Sequence, residues 1–216
     1  FDLVLLRDFF APLPDSDSFE TELRDCISDM PVESALELIT RKTRERRFRA
    51  EVQGLSGVAD RVTVGRALSD GAEAVIRVVR DLARTDMDRR HGAIEGDVLV
   101  IAMGRLGQRD LTATSDLDLV FAWDAPDDGQ SAGRSGGGGA LGATAYFTRL
   151  AQTMASWLGG ATGEGVLFSI DTRLRPDGEK GAFAPRLDRL RDYYRGEAWL
   201  WDCLLYTSDA ADECLC

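Results

Sequence analysis

The chain has 216 residues, 44% of them hydrophobic, and a formal net charge of −11. That is enough apolar material to bury a core, while the acidic balance repels nucleic acid and anionic lipid and argues against a general role on either. No apolar run approaches the roughly 18–20 residues of a membrane span, and the only histidine, His91, leaves Ser-His-Asp catalysis and histidine-rich metal sites almost nothing to work with.

The opening Phe1-Asp2-Leu3 has no basic stretch followed by an apolar one, and it reads as a piece of a longer chain. Residues 1–17, with Pro12 and Pro14, read as a connection. Phe19–Asp29 and Val32–Arg49 are predicted helices. In the second, Leu36, Leu38 and Ile39 form an apolar stripe, and the basic residues from Arg41 to Arg49 suit a helix C-terminus. Val64–His91 carries Leu68, Ala72, Val75, Ile76, Val79 and Leu82 at helical spacing, with Gly92 as its stop.

Beyond residue 92 the pattern changes. The run Val98–Ala102 is short, apolar and β-branched, as a buried strand is, and Gly104 and Gly107 break it. Leu117–Trp123 is a second strand. Residues 125–142 are a loop containing the run Gly136–Gly139, which cannot pack a core. Thr144–Leu158 is a helix with Phe147, Leu150, Met154 and Trp157 on one side, closed by Gly159 and Gly160. A third strand is expected over Val166–Asp171 and a helix over Asp188–Trp201. The four cysteines, Cys26, Cys203, Cys214 and Cys216, have no zinc or disulfide spacing, so the cytoplasm is the expected compartment.

The sharpest chemistry lies in Ser115-Asp116-Leu117-Asp118-Leu119. Alternation along a strand puts Asp116 and Asp118 on one face. Adjacent carboxylates repel unless a cation stands between them, and a divalent metal does this well; the plainer alternative is a solvated pair at a strand start. Upstream, Met103-Gly104-Arg105-Leu106-Gly107-Gln108 follows a strand and offers a glycine turn whose N–H groups can approach phosphate. The hydroxyls of Thr112, Thr114 and Ser115 either contact phosphate or hold the turn. If the third strand continues, Asp171, Arg173 and Arg175 share a face, suited to a metal-bound polyphosphate; the plainer alternative is a local Asp–Arg ion pair. A dinucleotide-binding fold fits less well, because it leaves Asp116-Leu117-Asp118 unexplained.

Residues 100–107 and 114–121, with Asp171-Thr172-Arg173-Leu174-Arg175-Pro176-Asp177-Gly178, resemble the two signatures of the glutamine synthetase adenylyltransferases. Tyr146–Gln152 is similar to a helix that the family has between them. The resemblance covers about Phe9 to Trp201. It implies an α+β fold, a nucleotidyltransferase-type small mixed sheet flanked by helices. Residues 1–92 would be a helical connector, 93–202 the catalytic core and 203–216 a non-native tail that looks like adapter read-through.

The resemblance also implies transfer of AMP from ATP to a tyrosine of glutamine synthetase with Mg²⁺ or Mn²⁺. Asp116, Asp118 and Asp171 would be the catalytic and metal-holding carboxylates. Gly104, Arg105, Gly107, Ser115, Arg173 and Arg175 would contact the nucleotide. Glutamine synthetase is the implied protein substrate, and a nitrogen regulatory signal protein a further partner. Asp116-Leu117-Asp118 and Glu197-Ala198-Trp199-Leu200-Trp201 look more like the adenylylating, C-terminal half than the half that removes AMP by phosphorolysis. A non-catalytic regulatory module is the third option. Two positions depart from the family's pattern: Arg105 stands where it usually has Lys, and Gln108 where it has Gly.

Overall fold

The computed structural model of the protein describes residues 9–126, 129–131, 133, 139–176 and 178–197. Three helices come first: α1 (Ser16–Ile27), α2 (Val32–Leu55) and α3 (Arg61–His91). Asp15 caps α1 by accepting from the Ser18 N–H at 2.9 Å, and Asp60 caps α3 by accepting from the Thr63 N–H at 2.7 Å. Gly92, at φ 79°, ends α3 as expected, a backbone conformation that costs glycine little.

The second helix differs from its prediction. It runs on to Leu55, so the basic stretch from Arg41 to Arg49 lies in its middle and its last turn holds no basic residue. The stretch serves the tertiary structure instead. Arg46 donates to the carbonyls of Pro14 (2.6 Å) and Ala67 (3.1 and 3.0 Å), and Arg49 to those of Phe9 (2.8 Å) and Ala11 (2.9 Å). Irregular backbone ahead of α1 has no ladder to satisfy its carbonyls, and these guanidiniums do it.

Strand β1 (Asp97–Ala102) and strand β2 (Leu117–Asp124) pair antiparallel from Asp97↔Asp124 to Ala102↔Leu119. A single helical turn, α4 (Gly104–Gly107), stands where a bare glycine turn was expected. Helix α5 (Ala143–Gly159) buries Tyr146, Phe147, Leu150, Ala151, Met154 and Leu158. Each large apolar side chain so buried contributes about 1.5–3 kcal/mol. The Tyr146 hydroxyl donates to Asp88 on α3 at 2.5 Å. The connection ahead of α5 is closed at its base by a Gln130↔Gly142 bridge and by buried Ser131, whose Oγ accepts from the Leu141 N–H at 2.9 Å. Gly136–Gly138 of the glycine run lie outside the described residues.

The expected strand over Val166–Asp171 is divided. A small hairpin, β3 (Ala161–Thr162) with β4 (Gly165–Val166), takes its start, and only β5 (Ile170–Asp171) joins the main sheet. Between them the chain turns inward: the Phe168 N–H donates to the Leu158 carbonyl at 3.0 Å, and Leu167 and Phe168 are buried. The sheet order is β1-β2-β5, with β5 parallel to β2, so the fold is α+β with a mixed sheet. Helix α6 (Leu187–Asp192) follows and passes into a π-turn at Tyr193–Glu197. The remainder of the expected last helix and the tail from residue 203 lie outside the described residues.

Alternation decides which sheet face meets which layer. Leu117, Leu119, Phe121 and Trp123 enter one contiguous core that also holds Phe19 of α1, Ile39 of α2, Val75 of α3 and Leu150 of α5. Val120 and Ala122 face the other way, into a smaller cluster with Met103 and Leu190 of α6. Asp118 belongs to this second face.

Candidate active site

Leu117 and Asp118 of β2 pair in parallel register with Ile170 and Asp171 of β5. The apolar pair faces the main core, so the acidic pair is presented side by side on the opposite face. Asp116 precedes the strand and is exposed. Arg173, which folds onto Asp171, is the cation whose charge favours the ionised form of Asp118. Burial first, then the charges of Asp171 and Asp116, push the Asp118 carboxyl above the ordinary carboxylate range. Asp171 is pushed the other way, chiefly by hydrogen bonding from Arg173. The Arg173 Nε lies 3.0 Å from both carboxylate oxygens of Asp171, and its backbone N–H donates to Oδ1 at 2.8 Å.

The turn after β1 is placed directly against this pair. The Met103 N–H donates to the Asp118 carbonyl at 2.9 Å, and Gly104 follows at φ 51°. A Cβ on Gly104 would stand 2.3 Å from Asp118 Oδ2. Only glycine both tolerates that φ and leaves the carboxylate its space. Gly107 is glycine for another reason: a Cβ there would meet the Ala102 carbonyl oxygen at 2.8 Å, so it lets the turn fold onto the end of β1. The N–H groups of Gly107 and Gln108 donate to Met103 and Gly104 at 3.0 and 3.1 Å. The amides of 104–106 are therefore the ones left without an intrahelical acceptor.

The other expected residues are distributed less simply. Ser115 holds its own turn, its Oγ accepting from the Thr112 N–H at 3.0 Å and lying 2.7 Å from the Thr112 hydroxyl. Arg105 is exposed on α4. Arg173 and Arg175 do not share a strand face with Asp171, because β5 ends at Asp171 and the chain turns. Arg173 folds back onto Asp171, the local ion pair that was the plainer alternative. Arg175 donates to the Thr172 carbonyl at 3.0 Å and lies over the Phe183 ring at 5.3 Å. Asp177 is outside the described residues.

Sequence reasoning passed over Arg109 and Asp110. Arg109 sits at φ 58° and ion-pairs with Asp70 and Glu73 of α3, and Asp110 pairs with Arg61 at 2.7 Å. The left-handed φ belongs to the turn that closes α4, where the Arg109 N–H donates to the Leu106 carbonyl and the Asp110 N–H to the Arg105 carbonyl, but no local pattern announces the partners 36 and 39 residues away.

Among the described residues, no group of three or more His, Cys, Asp or Glu is gathered closely enough to enclose a metal ion. Two carboxylates in register, one of them short of positive partners and given room by a glycine, still suit a divalent cation. Mg²⁺ is typically held by one or two carboxylates while phosphate oxygens and water complete its shell. No helix among the described residues is long and apolar enough to cross a membrane.

Residues 3–206 match the family model described as glutamate-ammonia ligase adenylyltransferase. The chain is 34% identical over 209 residues to the bifunctional glutamine synthetase adenylyltransferase/adenylyl-removing enzyme of Brucella suis biovar 1 (strain 1330), covering 96% of this chain and 21% of that protein. It is 38% identical over 193 residues to the like-named protein of Xanthomonas campestris pv. campestris (strain B100), covering 89% of this chain and 20% of the relative. For Rhizobium meliloti (strain 1021) the figures are 33% over 218 residues, 100% of this chain and 22% of the relative. The chain thus spans about a fifth of the length of the curated relatives it matches.

Proposed function

The chain belongs to the glutamate-ammonia ligase adenylyltransferase family, and we propose that it carries the nucleotidyl-transfer site of an adenylylating half, moving AMP from ATP to a tyrosine of glutamine synthetase. The observation that supports this best is the acidic pair Asp118–Asp171, set in register on adjacent strands with Gly104 packed against it. A site that only bound a neutral ligand would have no use for two like charges side by side, since their repulsion costs stability unless a cation is shared.

Asp118 and Asp171, with Asp116 beside them, would hold Mg²⁺ or Mn²⁺, which when bound supplies Lewis-acid neutralisation of the phosphate charge. The leftover amides at Gly104, Arg105 and Leu106 face the triphosphate, and Arg105 and Arg175 add positive charge around it. Arg173 keeps Asp171 ionised, so Asp171 accepts a hydrogen bond from the tyrosine hydroxyl and orients it. The tyrosine oxygen then attacks the α-phosphorus in line. The bond from that phosphorus to the bridging oxygen breaks, pyrophosphate leaves, and the phenolic proton passes to solvent. Positioning of the two oxygens is the main contribution of the protein in such a transfer.

The test is transfer of label from α-labelled ATP to glutamine synthetase with Mg²⁺, comparing the chain with its Asp116→Asn, Asp118→Asn double variant. Label on tyrosine that falls by about 10³-fold in the variant is expected, the scale of several kcal/mol of lost charge stabilisation. Release of AMP from adenylylated glutamine synthetase, with no forward transfer, would assign the site to the removing half instead.

A further inference from the structure

Of the site's three carboxylates, Asp118 and Asp171 are placed by strand register, but Asp116 stands on the connection between α4 and β2. Its position depends on whatever holds that connection. On the β2 side the Thr112–Ser115 turn and the Leu117 N–H, which donates to the Ser169 carbonyl at 2.9 Å, hold it, and on the α4 side α3 does. Arg109 reaches Asp70 and, at 3.3 Å, Glu73. Asp110 receives Arg61 and lies against Gly65, where a Cβ would stand 2.9 Å from Asp110 Oδ1. Leu111 is buried, and its N–H donates to the Ser69 hydroxyl at 3.4 Å. The Arg109 end of this attachment continues away from the site. Glu73 also accepts from Arg77 at 2.5 Å, and Arg77 reaches Asp17 and Glu20 of α1 at 2.7 and 3.2 Å.

We propose that Arg109 is a positioning residue: by clamping the head of the 109–115 connection to Asp70 and Glu73 of α3, it sets where Asp116 stands relative to Asp118. The proposal rests on Asp116 and Asp118 being the nucleotidyl-transfer carboxylates. Two observations favour geometry over stability as the purpose. Arg109 is half exposed, its side chain 49% accessible, and exposed ion pairs add little to stability. It also occupies φ 58°, the left-handed position that closes α4, with its N–H on the Leu106 carbonyl and the Asp110 N–H on the Arg105 carbonyl, a place that glycine usually takes. A long charged side chain kept there for weak pairs is there for the placement it enforces.

Arg109→Gly removes the guanidinium and relieves the backbone, so the fold should not suffer. Two measurements on the full chain test the idea. In hydrogen exchange, the amides of 111–116 should exchange about 3- to 10-fold faster in Arg109→Gly, with α3 and the middle of β2 unchanged. Unchanged exchange in that connection overturns the clamp. In AMP transfer, kcat should fall about ten- to a hundredfold at little change in KM for ATP, with Arg109→Lys partly restored. In an Asp116→Asn background the same change should cost little more. If the parent chain transfers AMP and Arg109→Gly keeps its kcat, the positioning role is overturned while the transfer reading stands. If the parent chain transfers none, the transfer reading fails, and the exchange measurement alone decides the clamp.

Discussion

On α3, Gly71 leaves the space that Arg46 fills, since a Cβ there would lie 2.8 Å from its Nε; at the sheet, Gly104 leaves the space beside Asp118, where a Cβ would lie 2.3 Å from Oδ2. From this shared device the two regions part. Arg46 is 5% exposed, donates to the carbonyls of Pro14 and Ala67, and lies over the Phe19 ring at 4.7 Å. Burial pushes its pKa down to about 10, which still leaves it charged at neutral pH. Asp118 receives no such provision: what surrounds it is Asp171, Asp116 and apolar matter, with only the charge of Arg173 in its favour. The helical layer uses charge to close its own structure, and Asp171 has Arg173, whereas Asp118 holds charge that its surroundings disfavour. Where a folded chain leaves charge uncompensated is where a ligand is expected to compensate it.

The largest effect on stability should come from breaking the hydrogen-bonded, buried guanidinium of Arg46. Arg46→Ala empties a buried position and takes from the Pro14 carbonyl its guanidinium donor, a loss of about 3 kcal/mol. In a chain of this size that is a fall of roughly 6–12 °C in Tm, with AMP transfer at 25 °C retained. A small change in thermal unfolding would mean that the α2 guanidiniums do not close the helical layer.

Gly104→Ala strikes the other side. The left-handed backbone alone costs about 1–2 kcal/mol once a Cβ is present, and the methyl group must displace the Asp118 carboxylate. Unlike Arg46→Ala, this change should hurt activity more than stability. Transfer should fall about a hundredfold, on the principle that misplacement of a reacting group by ~1 Å has that effect. Transfer at the parent rate, measured at saturating ATP, would detach Gly104 from the site.

Much of this contrast was legible in the sequence, and the parts that were not share a cause. Asp116-Leu117-Asp118 carries its own period of two, so the facing of Asp118 away from the core could be read locally. The helical periodicity of Leu68 to Leu82 and the stop at Gly92 were equally local. The basic run from Arg41 to Arg49 misled, because charge at a helix end and charge reaching across to Phe9, Ala11, Pro14 and Ala67 look alike in sequence. Val166 to Ile170 has the composition of one strand, yet the hydrogen bond from Phe168 to Leu158 on α5 turns the chain inward and splits it. The partner of Asp118 was named as a third carboxylate, but its register with Asp171 is a pairing across 53 positions and could not be read from either segment. Arg109 is the extreme case, since its side-chain partners both stand on α3, far off in the chain.

The smallest expected effect is the most direct test of the comparison, because it asks for a gain. Burial, Asp171 and Asp116 raise the Asp118 carboxyl, so the folded protein keeps that proton to higher pH than the unfolded chain, whose value is about 3.9. The contribution of this group to stability is therefore greatest below about pH 3.9 and is lost as pH rises through the folded value. Asn at 118 is neutral throughout and of nearly the same shape. Asp118→Asn should therefore raise Tm slightly at pH 7, and the gain should vanish below about pH 4. Asp171 has the opposite sign. Arg173 lowers its carboxyl, so its stabilisation is present above about pH 3.9 and lost as pH falls further, and Asp171→Asn should lower Tm at pH 7. Thermal unfolding of both variants between pH 3.5 and pH 7 (roughly the carboxylate titration range) reads the two signs side by side. A lower Tm for Asp118→Asn at pH 7 would mean that the Asp118 carboxylate, like the Arg46 guanidinium, contributes to closing the fold, and the distinction between the two regions would collapse.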